Sequence, residues 1–133
     1  MDFFNGKNFE KMAKEYNEKY NKSSILSQKD ISIQTILQDI SEIMVFLNKT
    51  GKGNEEFDSL ANSLYGEIKL LQAKFGINLP HKNSRLHTYN DCYALSLKIL
   101  FAIENLQNEN NFVDFSSLKK DFFMALICFF EQF

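Results

Sequence analysis

Residues 115–133 read FSSLKKDFFMALICFFEQF, and the reading of this stretch decides the fold. At spacings of three and four, Leu118, Phe122, Ala125, Leu126, Phe129 and Phe133 fall on one stripe of a helix. Phe123, Ile127 and Phe130 fall on a second. A helix on the surface of a small domain needs one apolar stripe, so a helix with two needs cover on both sides. Two arrangements satisfy that demand. Either the helix is the central post of a bundle, or its second stripe (Phe123, Ile127 and Phe130) meets a partner chain, with Phe133 of the first stripe as a further interface candidate.

Working outward, the helical period continues through nearly the whole sequence. Phe9, Met12, Ala13, Tyr16 and Tyr20 predict a first amphipathic helix near residues 5–21, with Glu10–Lys14 and Glu15–Lys19 pairs at i,i+4. Ser27-Gln28-Lys29-Asp30 has the form of a capping box opening a second helix, whose stripe is Ile33, Ile36, Leu37, Ile40, Ile43, Met44 and Leu47. Many of these residues are β-branched, which lowers helix propensity, yet a strand would scatter the stripe over both faces, so the 3.6 period prevails. Thr50-Gly51-Lys52-Gly53 ends that helix. Asn54 caps the next, with Glu55 and Glu56 in the first turn, where the helix dipole favours acids. Its seam is Phe57, Leu60, Ala61, Leu64, Ile68, Leu71 and Phe75. Gly76 is placed as a left-handed cap with Ile77 folded back, and Pro80 enforces the stop.

A loop over 77–87 leads to a second capping box, Thr88-Tyr89-Asn90-Asp91, and a helix with Ala94, Leu97, Leu100, Phe101 and Leu106 on its seam. Asn108-Glu109-Asn110-Asn111 breaks it, and Asp114 or Ser116 caps the last helix. Short connections, no strand signal and no repeat at a fixed period predict an all-α fold: a single domain over 1–133, a bundle of about five helices. The expected core is Leu64, Ile68, Leu71, Leu97, Leu100, Phe101, Phe122, Leu126 and Phe129.

Composition bounds the function. With 44% hydrophobic and 24% charged residues the chain is globular, and 133 residues suffice to bury a core without staples. Fourteen Phe and five Tyr with no Trp supply buried area with few polar handles. The 15 basic and 17 acidic residues leave a net charge of −2, so no basic excess exists to neutralise a phosphate backbone. Cys92 and Cys128 are expected as small buried hydrophobes in a reducing compartment rather than as a disulfide. Met1 to Lys7 lacks the charged leader and apolar run of a signal peptide. The C-terminal run is broken by charges before the ~20 residues of a membrane span. The expected location is therefore the cytoplasm.

The polar candidates gather in one loop: His81, Lys82, Arg85 and His87, followed by Asp91 and Cys92. Imidazole, carboxylate and thiolate together suit zinc, but a structural zinc site shows paired ligands at short spacing, and Asp91 already serves the capping box. No metal or cofactor is expected. Lys82 and Arg85 precede a helix N-terminus, which attracts anions, but no glycine-rich turn lets a backbone approach phosphates. The Arg-then-His spacing that marks HEPN ribonucleases, also small helical bundles, is not met, because Arg85 stands two residues before His87. Cys128 lies in an apolar run and Cys92 has no adjacent base, so nucleophilic catalysis is not expected.

Tyr16, Tyr20 and Tyr65 beside lysines have the makings of stacking platforms for single-stranded nucleic acid, although acids interleave the lysines of the first helix. In length and all-helical layout the chain is similar to small subunits of type III CRISPR effector complexes, a similarity of architecture alone. It implies a subunit touching nucleic acid through the first helix and the loop at 81–87. A small metal- or nucleotide-dependent enzyme is the third reading. The first expectation is a non-enzymatic helical module of inhibitor, immunity or accessory-subunit type, binding another protein chain, a second copy of itself included.

Overall fold

The computed structural model describes residues 32–51, 53–79, 86–109 and 113–130. Among these the fold is all-α, with four helices and no strand: α1 (Ile33–Lys49), α2 (Glu55–Phe75), α3 (Tyr89–Glu109) and α4 (Ser116–Phe130). The count differs from the five expected. The helix read near 5–21 lies outside the described residues, as does the capping box at 27–30.

Local chemistry sets each start. Ser32 is extended and its Oγ accepts from the Thr35 N–H at 3.1 Å, so α1 opens at Ile33, later than the Ser27 box suggests. Asn54 Oδ1 accepts from the Phe57 N–H at 2.8 Å, and Thr88 Oγ1 accepts from the Asp91 N–H at 3.0 Å, as read from the sequence. The last helix is held differently. Phe115 carries the first helical carbonyl, accepting from Lys119 N–H at 3.0 Å, while Asp114 Oδ1 accepts from Ser116 N–H at 2.9 Å. The Ser116 hydroxyl, and after it this backbone N–H, keep the Asp114 carboxyl below its ordinary pKa. At the other end of α2, Gly76 takes φ 64°, and Ile77 N–H reaches the Gln72 carbonyl at 2.9 Å. This is the 6→1 bond of a Schellman motif, which needs a left-handed residue and hence favours glycine.

Close helix pairs are α2 with α4 and α1 with α3, with a lesser contact between α3 and α4. Side-chain contacts give the directions. Phe57 early in α2 meets Phe129 late in α4, and Tyr93 early in α3 meets Phe130, so α4 runs antiparallel to both. Phe46 late in α1 meets Tyr89 at the start of α3, which sets α1 antiparallel to α3.

The expected core is buried at Leu64, Ile68, Leu97, Leu100, Phe101, Phe122, Leu126 and Phe129. Leu71 is half-buried instead, and Phe75 is exposed, because among the described residues the seam of α2 runs out of neighbours toward its C-terminus. The α3 seam is displaced from the reading. Ala94 is exposed, whereas Cys92, Tyr93, Ser96, Ile99, Ala102 and Ile103 are buried. Its buried arc is broad because α1 and α4 both pack on it. The helix also continues through Asn108 to Glu109, and Gln107 ties Val113 and Phe115 back to it. Its Nε2 donates to the Val113 carbonyl at 2.9 Å and its Oε1 accepts from the Phe115 N–H at 2.6 Å.

Candidate interaction surface

The two stripes of α4 are not equivalent. Leu118, Phe122, Ala125, Leu126 and Phe129 form the inward stripe, all of them buried. Of the second stripe, Phe130 is fully enclosed by its own chain, with its ring 5.4 Å from Phe129 and 6.3 Å from Tyr93. Phe130 is therefore a core residue and not an exposed interface anchor, because the start of α3 packs over the end of α4. Phe133 lies outside the described residues. Phe123 and Ile127 are half-buried against the core, and Met124 beside them is 40% exposed.

These three make one patch. Phe123 and Ile127 are four apart, Met124 and Ile127 three apart, so Ile127 touches the surface covered by both. Met124 escaped the sequence reading because it belongs to neither strict stripe. Its signal was its place between the two. The other exposed large apolar residues among those described, Leu70 and Phe75, are on α2. Leu70 has Gly66, Glu67, Ala73 and Lys74 at helical neighbour positions and stands alone.

The polar candidates separate from this patch. His81, Lys82 and Arg85 lie outside the described residues, and His87 is exposed just before the Thr88 cap. Tyr65 is half-buried and its hydroxyl accepts from Asn48 Nδ2 at 3.0 Å, an α1–α2 tie rather than an open stacking platform. Tyr16 and Tyr20 are outside the described residues. No three His, Cys, Asp or Glu side chains converge on a common point among the described residues.

Both cysteines are buried, and neither forms a disulfide. Burial pushes the Cys92 thiol up to about 12, the opposite of what a nucleophile needs, and the Ser96 hydroxyl bonded to the Cys92 carbonyl at 2.7 Å closes the same turn. Cys128 donates to Asn54 Oδ1 at 3.5 Å, so α4 braces the cap of α2.

Charged side chains meet between α4 and each of α2 and α3. Lys119 Nζ lies 3.0 Å from Glu104 Oε2 across α4 and α3, half in solvent, where such pairs contribute little. Glu67 on α2 faces Asp121 on α4, one carboxyl against another. An open concavity of about 510 Å³ surrounds the α2 C-cap, bounded by Lys69, Gln72, Ala73, Gly76, Ile77 and Asn78.

Known proteins add nothing to this geometry. No family model matches the chain, and no curated protein and no solved structure is significantly similar to it. Among the described residues, no helix is long and apolar enough to cross a membrane.

Proposed function

We propose that this chain is a non-enzymatic helical binding module of the cytoplasm, and that the Phe123–Met124–Ile127 edge of α4 receives another protein chain. One observation carries the reading: Met124 stands 40% exposed beside two half-buried apolar neighbours on a helix whose opposite side is already core. A flexible thioether in such a patch adapts to a partner surface. Covering the remaining apolar area contributes at roughly 25 cal/mol per Å², before the costs of association are subtracted. The chemistry of the cysteines supports binding over catalysis, since Cys92 is held as a thiol.

The test is affinity purification from the native cell of the wild type and of Met124→Glu. The reading expects a stoichiometric partner with the wild type that is lost from a variant with unchanged helical circular dichroism and unfolding midpoint. A second copy of the chain counts as such a partner. Equal recovery of the same partner by the folded variant overturns the reading.

A further inference from the structure

Glu67 and Asp121 occupy equivalent places on two packed helices. Glu67 is three residues after Leu64 and four before Leu71, and Asp121 is three after Leu118 and four before Ala125, so each flanks an apolar seam. Oε2 of Glu67 is enclosed with no hydrogen-bond donor among the described residues, and the carboxyl next to this side chain is that of Asp121 on the packed helix α4.

Ionised carboxylates only accept hydrogen bonds, so two of them in contact repel unless one carries a proton. Among the described residues no basic group is paired with either carboxyl. Lys119 on α4 is turned to Glu104 of α3, Lys120 is exposed, and Lys69 and Lys74 on α2 are exposed. From α1, Asn48 donates to the Tyr65 hydroxyl of α2, a contact that carries no charge.

We propose that the α2–α4 contact is a proton-dependent latch, closed by one proton shared between Glu67 and Asp121 and loosened when that proton leaves. Burial and the neighbouring Asp121 raise the Glu67 carboxyl from 4.5 to about 7, which puts release in the physiological range.

The sign follows from which state holds the proton. Below about 4.5 both folded and unfolded chains are protonated at this site. Between about 4.5 and 7 the folded chain keeps a proton that the unfolded chain has lost, so stability falls as pH rises. Above about 7 both are ionised and the full repulsion remains.

The test is a carbon-13 carboxyl titration of Glu-labelled full-length chain, with urea unfolding at pH 5.5 and 8.5. One glutamate should titrate near neutrality in the wild type, and its signal should be absent from Glu67→Gln. The wild-type urea midpoint should fall between the two pH values, and the fall should shrink in Glu67→Gln. Amide-exchange protection in α2 and α4, corrected for intrinsic rates, should drop several-fold more in the wild type than in that variant over the same range. Wild-type glutamates all titrating in the ordinary carboxylate range overturn the latch, whether or not the variant folds. So does an equal pH response of the two proteins.

Discussion

The rings of Phe57 and Phe129 lie 5.5 Å apart, tilted by 59°, where the first turn of α2 meets the last turn of α4. Both side chains are fully buried, and Phe129 also stands 5.4 Å from Phe130 and 6.3 Å from Tyr89. Phe129 thus joins α2, α3 and α4 at one end of the bundle.

Truncating it to Phe129→Ala should cost roughly 3–5 kcal/mol through lost burial and the cavity left behind. Total stability of a domain this size is typically about 5–15 kcal/mol, so the urea midpoint should drop sharply. A double-mutant cycle with Phe57→Ala should show a coupling of about 0.5–1.5 kcal/mol. An unchanged midpoint in Phe129→Ala would refute this packing.

Two glycines should respond in opposite directions to the same substitution. Gly66 lies exposed in the interior of α2, with nothing within 4 Å of where a Cβ would stand. Gly66→Ala should stabilise by about 0.5–1 kcal/mol, because alanine loses less backbone freedom in a helix. At Gly53 an added Cβ would come 2.9 Å from Phe57 Cδ1, and that ring is pinned against Phe129. Gly53→Ala should therefore destabilise by about 1–3 kcal/mol. Thermal unfolding of the two variants checks the pair, and two shifts of the same sign would contradict it.

Cys92 should resist alkylation in the folded protein. Its side chain is fully buried and burial favours the thiol over the reactive thiolate. Iodoacetamide at pH 8 should modify it only after urea unfolds the chain, as read by intact-mass spectrometry. Modification of Cys92 in the native chain at the rate of a free thiol would show that the start of α3 is open.

The α-helical class was legible because Ile36, Leu37, Ile40, Ile43, Met44 and Leu47 hold one period over three turns and are all buried as that period demands. The Asn54 and Thr88 caps and the Gly76–Ile77 turn were equally legible, since each rests on hydrogen bonds between near neighbours in sequence. Long-range choices were not. Periodicity placed Phe130 on the second stripe with Phe123 and Ile127, but whether α3 would cover that stripe depends on helix pairing, which one helix does not encode. The Ala94 error has the same origin: the buried arc of α3 is set by the two helices that pack on it. Glu67 and Asp121 were readable as acids flanking apolar seams, but their meeting needed the register between α2 and α4.

The central claim is that the outward edge of α4 is where another protein docks. A benzoylphenylalanine photo-cross-linker at position 124, introduced in the native cell, tests it most directly, with position 108 on α3 as an exposed control. The account predicts one discrete higher-mass product from position 124 that is absent from position 108. No product at 124, or the same products from both positions, would contradict it.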